Sequence, residues 1–217
     1  MYKDYDRKVS LNDLYALIRE GEHEEQDFKY RISDARKIAR TLSAFANTTG
    51  GRLLVGVRDN GSVAGVKDED DIYMLESASE VFLKPALKLD VWAHEIEGKT
   101  VWEIGITEGK EKPYQVDETD GLKAYYREGD QNFIANSVLK EVWKQDRLKE
   151  SKHPVSFTEK EQRLIQYLKD YEEVSVSKAA KVMQLHRNKT IETLARLIRW
   201  EVINWSHDTQ EGFRYSL

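Results

Sequence analysis

Three acidic side chains are placed where they could act on a phosphodiester. Glu22 and Asp27 lie in a short acidic run, and Asp59 follows a pair of glycines and a short apolar stretch. If a strand over 26–31 pairs beside a strand over 52–57, Asp27 and Asp59 lie at one end of the sheet. Three converging carboxylates hold one or two Mg²⁺ or Mn²⁺ ions, which stabilise phosphodiester cleavage. The alternative, which the residues alone favour, is a hydrated acidic loop and an ordinary Asp-Asn-Gly turn.

A second set of residues, near the C-terminus, has the chemistry of a DNA reader. The last 60 residues predict three helices and a terminal hairpin, which is the winged-helix arrangement, and its third helix presents its first residues to the major groove. Those residues carry groups that bond base edges or phosphates, and two arginines follow them. The candidates are His186, Arg187, Asn188, Lys189, Thr190, Arg196 and Arg199. The alternative is a dimerisation or protein-docking module whose charges only solvate its face.

The first part of the chain adds cationic and aromatic candidates for binding a nucleic-acid strand. Aromatic rings stack on bases while nearby cations neutralise phosphates. These candidates are Lys29, Arg31, Arg58, Lys123, Tyr126 and Arg127. Strand alternation predicts that one of Tyr125 and Tyr126 lies in the core and that the other is exposed.

Hydrophobic periodicity predicts the elements that position these side chains. Helices are expected over about 11–20, 34–47, from Asp68, Asp70 or Asp71 to Pro85, and over 136–149, 158–168, 176–184 and 188–201. Strands are expected over 26–31, 52–57, 62–66, 87–96, 100–107, 112–116, 122–127, 202–206 and 213–217. The polar, proline-containing stretch 150–157 predicts a linker, so domains are expected over 1–149 and 158–217.

Glycines mark two of the turns. Gly50-Gly51 ends the second helix, where a left-handed residue is needed, and Gly61 completes a tight turn after Asp59-Asn60. The glycines do not form a phosphate loop, because they lie between a helix and a strand and lack the Walker pattern. ATP binding is therefore not expected, and the five histidines fall at no metal-ligand spacing, so no cofactor is predicted.

Composition limits the remaining possibilities. The net charge is −5, which argues against a protein that coats nucleic acid indiscriminately. Residues 151–217 carry 11 Lys/Arg against 9 Asp/Glu, a balance of +2, which leaves −7 for residues 1–150. A local basic patch can still bind a polyanion, because salt screens charges over about 8–10 Å. No cysteine, no apolar run of membrane-spanning length and no apolar core in MYKDYDRK are present, so a cytoplasmic protein without membrane contact is expected.

Several of these pieces, in order, resemble one family. They are Glu22-x-x-x-x-Asp27-Phe28-Lys29, Ala44-Phe45-Ala46-Asn47-Thr48-x-Gly50-Gly51, Gly56-Val57-x-Asp59-x-Gly61 with Gly65, Lys112-Pro113-Tyr114, and Tyr126-Arg127-Glu128-Gly129-Asp130. Together they resemble the Schlafen-type AlbA-like domain over about residues 10–145. The resemblance implies an α+β fold, a mixed sheet with flanking helices, that binds nucleic acid. Bacterial members often carry a C-terminal winged helix and are described as DNA-binding transcriptional regulators.

The resemblance also carries an alternative function. Some vertebrate Schlafens cleave structured RNA with three carboxylates, which correspond here to Glu22, Asp27 and Asp59. The second is aspartate where the family usually has glutamate, which shortens its reach by one methylene. Vertebrate forms pair two lobes in one chain, whereas this chain has one copy, so a homodimer is expected. The sequence thus predicts a DNA-binding regulator, with a metal-dependent endoribonuclease as the alternative and a protein-docking adaptor third.

Overall fold

The computed structural model describes residues 11–66, 70–148 and 156–217. Contacts divide the chain into two compact units, Met1–Ala135 and Asn136–Leu217, called unit 1 and unit 2 below. Most of the linker expected over 150–157, and the helix start considered at position 68, lie outside the described residues. The fold is α+β, as the sequence predicts.

Unit 1 combines helices with two four-stranded sheets. Its helices are α1 (Leu11–Glu20), α2 (Ala35–Asn47) and α3 (Asp70–Glu76), the last continued by a π-helical segment, Ser77–Phe82. Its strands are β1 (Gln26–Lys29), β2 (Gly50–Val55), β3 (Leu83–Lys84), β4 (Asp90–Ile96), β5 (Lys99–Thr107), β6 (Gln115–Glu118), β7 (Gly121–Glu128) and β8 (Gln131–Ile134). The sheet orders are β1-β2-β5-β4 and β3-β6-β7-β8.

The first sheet is buried on both faces, and the apolar side chains of β2 alternate between these two faces. Leu53 and Val55 join the core formed with α2, whereas Leu54 joins the core formed with Leu14 and Ile18 of α1. Helix α2 begins at the N-cap Asp34, whose carboxylate accepts hydrogen bonds from the next backbone N–H groups. Strand β1 pairs with β2, as expected, and the pairing is parallel, whereas β2 pairs antiparallel with β5.

The hairpin predicted after β2 forms only in part. The turn at Asp59-Asn60-Gly61 forms, with the Gly61 N–H donating to the Arg58 carbonyl at 2.7 Å. Residues 62–66 form no strand, only an isolated bridge between Val57 and Val63. The reason is that β1 and β5 already occupy both edges of β2, so a returning strand has no edge to pair with.

Unit 2 contains four helices and a small sheet among its described residues. The helices are α4 (Ser137–Arg147), α5 (Glu159–Asp170), α6 (Val176–Met183) and α7 (Arg187–Arg199). The strands β9 (Glu173–Val174), β10 (Asn204–Asp208) and β11 (Gly212–Ser216) form an antiparallel sheet in the order β10-β11-β9. The three helices and the hairpin expected after residue 157 therefore lie where the sequence predicts them.

Helix α4 packs with unit 2, whereas the sequence-based boundary at residue 149 assigned it to the first domain. Val138 and Val142 are buried in one core with Leu164 of α5 and Leu194 of α7. The sequence misses this because a helical apolar stripe shows that α4 has a partner but does not say which one. Among the described residues, no helix is long and apolar enough to span a membrane.

Candidate nucleic-acid interface

Two of the three predicted catalytic carboxylates lie side by side. Glu22 Oε1 accepts a hydrogen bond from the Phe28 N–H at 2.9 Å, which holds the loop before β1 against that strand. Burial raises the pKa of Glu22 above its usual value, and the neighbouring Asp27 carboxylate raises it further, against the opposing effect of the Phe28 N–H. The two acids therefore interact directly, as their spacing suggests.

Cations of the protein already balance the Asp27 carboxylate. The Lys29 ammonium lies 2.6 Å from Asp27 Oδ2, and the Arg127 guanidinium lies 3.4 Å from Asp27 Oδ1. All three groups are largely or fully buried, so water screens their attraction little. Lys29 was predicted to contact nucleic acid, but its charge is committed to Asp27.

The third carboxylate, Asp59, does not complete a metal site. Asp27 lies at the amino end of β1, opposite Leu53, whereas Asp59 follows the carboxyl end of β2. The two strands are parallel, so these positions belong to different ends of the pair. Within the described ranges, no group of three or more His, Cys, Asp or Glu residues could hold a metal ion. With Lys29 also against Asp27, the donor set does not fit the dinuclear or mononuclear site that the family alternative implies.

Arg127 was predicted to bind nucleic acid, and the structure contradicts this. It is 2% exposed and donates hydrogen bonds to the backbone carbonyls of His23 and Gln26 and to the Asn132 side chain, all at 3.0–3.1 Å. Its guanidinium also lies over the Phe45 ring, 4.7 Å from the ring centroid. These contacts tie β7 to the loop before β1, so the residue is structural.

Both tyrosines of β7 are buried, whereas alternation predicted one exposed ring. Tyr125 joins the core with α2, and its hydroxyl donates to Glu118 at 2.7 Å. Burial, with that hydrogen bond, raises the pKa of Tyr125 to about 12. Tyr126 is 4% exposed and packs beside Phe133 of β8. Both faces of β7 are covered, so neither ring offers a stacking surface, and Lys123 pairs with the exposed Asp120 at 2.7 Å.

The remaining predicted contacts of unit 1 lie at its surface. Arg31 and Arg58 are exposed, and the Arg58 guanidinium lies 4.9 Å from the centroid of the Tyr30 ring. Tyr30 is 38% exposed and was not among the predicted contacts. The sequence feature that could have identified Tyr30 is its position between Lys29 and Arg31. There β1 has just ended, and successive side chains are exposed to solvent.

In unit 2, the start of α7 presents polar side chains to solvent. His186 is the N-cap, and its Nδ1 accepts the Lys189 N–H at 3.3 Å. Arg187, Asn188 and Lys189 are exposed, and Lys189 reaches Glu192 at 2.8 Å in an exposed pair of little energetic weight. Four of the predicted contacts thus lie together on one helix terminus.

Three other predicted contacts of α7 are committed to packing. Thr190 is fully buried, and its hydroxyl donates to the His186 carbonyl at 3.1 Å. Arg196 donates to Glu161 at 2.6 Å, and Arg199 is 8% exposed and donates to Asp146 at 2.8 Å. A helical wheel brings positions 190, 193, 194 and 197 to the core, and the arginines beside them reach acids on α5 and α4. Thr190 and Arg199 are therefore too buried to contact DNA, whereas Arg196, whose side chain is 29% exposed, stays a predicted contact.

A buried polar stripe on α2 was missed as well. The Asn47 amide donates to the carbonyls of Tyr114 and Tyr125 at 2.8 and 2.9 Å, and its oxygen accepts the Tyr114 N–H at 2.8 Å. One turn earlier, the Ser43 hydroxyl donates to the Tyr114 carbonyl at 2.7 Å. The i, i+4 spacing of two polar residues on an apolar face is the signal that identifies this stripe. It anchors β6 and β7 on α2.

Taken together, these features define a class: a two-unit α+β protein with a buried polar stripe on α2 of unit 1 and an exposed cationic helix terminus in unit 2. The chain belongs to the Schlafen, AlbA_2 family, whose sequence profile matches residues 22–136. The resemblance seen in the sequence is confirmed at this level.

Two solved structures are similar to the chain. The DIP2311 protein from Corynebacterium diphtheriae is 20% identical with a TM-score of 0.47, and the match covers 88% of this chain and 34% of that one. The chain thus spans about a third of that protein's length. The N-terminal domain of a RecG-related protein from Nitrosomonas europaea is 26% identical with a TM-score of 0.41, and the match covers 56% of this chain and 94% of that domain. No curated protein matches the chain.

Proposed function

We propose that the chain is a nucleic-acid-binding protein whose unit 2 is a winged helix-turn-helix that reads duplex DNA, and that it acts as a transcriptional regulator. The observation that carries the proposal is the exposed start of α7, where His186, Arg187, Asn188 and Lys189 face solvent together. Arginine and asparagine pair with guanine and adenine edges in the major groove, and lysine binds phosphates. Family membership agrees with this chemistry.

The hairpin β10–β11 contributes less to the proposed interface than α7. Its tip carries Asp208, which accepts the N–H groups of Gln210 and Glu211, and these hydrogen bonds lower the pKa of Asp208. Arg214 pairs with Glu173 and Glu211. An acidic tip repels phosphates, so the interactions with DNA concentrate on α7 and on the exposed Lys178 and Lys181 of α6. Binding is therefore modest in affinity and depends strongly on a few cations.

A homodimer follows naturally from this proposal, because one copy of α7 reads one short half-site. Two copies related by a twofold axis would read half-sites about 34–36 Å apart. Light scattering gives the mass in solution, and a footprint of two half-sites at that spacing would support the dimer. The proposed activity requires neither a metal ion nor a nucleotide. The ribonuclease alternative lacks a metal site, because no group of three or more metal-binding side chains lies together among the described residues.

The experiment compares the variant Arg187→Ala/Lys189→Ala with the unchanged protein on mixed-sequence duplex DNA. The variant lacks two side chains that bind phosphates or bases, so its affinity should fall about tenfold or more. The slope of log K against log salt should become shallower by about 1 for each phosphate that is no longer neutralised. Fluorescence anisotropy over a salt series measures both quantities.

A matched control removes the same charge from another surface. Lys160→Ala/Lys169→Ala changes two exposed lysines of α5, a helix outside the proposed interface, and should leave the affinity within about twofold, because salt screens the charges of exposed side chains. If the two double variants bind duplex DNA with equal affinity, α7 does not contribute to binding. If no duplex binds even at low salt, the protein-docking adaptor becomes the better interpretation.

A further inference from the structure

Unit 1 has a cationic and aromatic surface of its own, at the carboxyl ends of its parallel strands β1 and β2. The Gly56 N–H donates to the Lys29 carbonyl at 2.8 Å, so the chain leaving β1 and the chain leaving β2 lie beside each other. Tyr30 and Arg31 follow β1, and Arg58 follows β2. In open sheets, the crevice outside the carboxyl ends of parallel strands is a common place for ligands.

The two arginines at this surface have their donors available. Arg58 contacts the Tyr30 ring and reaches the Ser62 hydroxyl at 3.5 Å, and within the described ranges neither Arg58 nor Arg31 forms an ion pair with a carboxylate. Lys29 and Arg127, by contrast, are committed to Asp27. A guanidinium held over an aromatic ring is oriented for bidentate binding of a phosphate.

A cavity opens next to this pair. Its volume is about 220 Å³, and its lining residues are Tyr30, Arg31, Ile32, Ser33, Gly65, Asp70 and Asp71. This is smaller than the roughly 300–1,000 Å³ pockets that hold drug-sized ligands, and it suits a group the size of one nucleobase. Tyr30 belongs both to the cavity wall and to the stack with Arg58, so a ligand in the cavity lies next to the guanidinium.

The acids at the cavity narrow the choice of ligand. Asp71 is 6% exposed and accepts the Ile32 N–H at 2.7 Å, and the exposed Asp70 also lines the cavity. Such mixed charge does not attract a bare phosphate or a duplex backbone. It suits a ligand with donors at one end and an anion at the other, which describes a nucleotide whose base carries exocyclic amines.

We propose that this cavity binds one unpaired nucleotide of a single-stranded nucleic acid, with its base against Tyr30 and its phosphates on Arg31 and Arg58. Base stacking on an aromatic side chain tolerates any base, because every base has a π-face. This site lies in unit 1 and does not depend on the proposal that α7 reads duplex DNA.

The test measures the affinity of the protein for a short fluorescein-labelled single strand of mixed sequence and for the same strand annealed to its complement. Arg31→Ala/Arg58→Ala should weaken single-strand binding about tenfold or more and leave duplex binding unchanged. Lys88→Ala/Lys110→Ala removes the same charge from exposed sites of unit 1 and should change neither. Tyr30→Ala should weaken binding about as much as the arginine variant does, whereas Tyr30→Phe keeps the ring and should bind like the unchanged protein.

Three results with the single strand would overturn the proposal. They are an arginine variant that binds the single strand as well as the lysine control does, a Tyr30→Ala variant with unchanged affinity, and an unchanged protein that ignores single strands at low salt. An equal loss of duplex affinity in the arginine variant would also overturn it, since such a loss indicates a general electrostatic surface. Melting temperatures equal to that of the unchanged protein exclude unfolding. Arg187→Ala/Lys189→Ala should affect the duplex alone, so the two proposals fail separately.

Discussion

At the scale of single residues, a cation binds nucleic acid only where its hydrogen-bond donors still face water. Arg127 and Arg199 carry the same charge as Arg31 and Arg187, but the protein's own carbonyls and carboxylates occupy their donors. Residue type and spacing therefore select candidates, and burial separates them into structural and available groups. In this chain the available ones lie where the chain leaves β1 and β2, and at the start of α7.

Replacing Arg127 tests this separation. Arg127→Met removes the hydrogen bonds to His23 and Gln26 and one partner of Asp27, so the free energy of unfolding should fall by about 3 kcal/mol. Arg127→Lys keeps the charge but not the planar fork, so the free energy of unfolding should fall by roughly half as much. Urea denaturation followed by circular dichroism measures both.

Lys123→Met is the matched control for that pair of variants, because it removes one cation of the same strand at an exposed ion pair. Its effect on stability should stay below about 0.5 kcal/mol. If Arg127→Met unfolds like this control while its single-strand affinity falls, Arg127 binds nucleic acid after all.

At the scale of elements, the two glycines that begin β2 are required by what lies next to them. A Cβ on Gly50 would sit 2.6 Å from the Ile106 carbonyl oxygen and 2.9 Å from the Glu108 nitrogen, both backbone atoms of or beside β5. A Cβ on Gly51 would sit 2.6 Å from the Phe45 ring. The pair allows β2 to enter the middle of the sheet directly after a buried helix.

Alanine at these glycines should have unequal effects. Gly50→Ala places a methyl group against backbone that cannot move aside and adds the strain of φ +83°, so we expect stability to fall by about 3 kcal/mol or more. At Gly61, with φ +77°, the nearest atom is 3.4 Å away, so only the strain remains and stability should fall by about 1 kcal/mol. Thermal unfolding compares them, and equal melting temperatures would refute the steric argument.

Local patterns predicted most of the elements, and tertiary pairing decided the rest. The stripe of α2, its cap at Asp34 and the hairpin β4–β5 follow from periodicity and turn chemistry. The absence of a strand over 62–66 does not, because it depends on β5, which comes much later in the chain, taking the edge of β2. Likewise, Tyr126 is buried by packing beside Phe133, which alternation within one strand does not encode.

At the scale of the whole molecule, each unit has a core made from its own residues. The core of unit 2 draws on α4, α5, α6, α7 and the small sheet, and Glu161 links two of these helices. Burial alone would raise the pKa of Glu161, but hydrogen bonds from Arg196 and Thr158 outweigh it and hold the pKa below its usual value. Residues 136–217 carry 15 Lys/Arg against 12 Asp/Glu, a balance of +3, which leaves −8 for residues 1–135, and this charge separation agrees with a division of roles between the units.

Fragments of the chain test where the second unit begins. A fragment of residues 136–217 contains the whole of that core and should fold by itself. A fragment of residues 150–217 lacks Val138 and Val142, which are 1% and 9% exposed, and the Asp146 partner of Arg199. It should be less stable by about 3 kcal/mol, at roughly 1.5 kcal/mol or more for each buried valine. Equal melting temperatures by circular dichroism would return α4 to the first domain.

The hydrogen bonds of Arg127 also have a consequence for synthesis on the ribosome. The guanidinium joins positions 104 residues apart, from His23 to β7. At about 5–20 residues per second, the ribosome needs roughly 5 to 20 seconds to advance from one to the other. During that interval the carbonyls of His23 and Gln26 lack their guanidinium partner. The Arg127 hydrogen bonds that hold β1, the first strand of unit 1 to be synthesised, therefore form only after β7, one of the last, has been made.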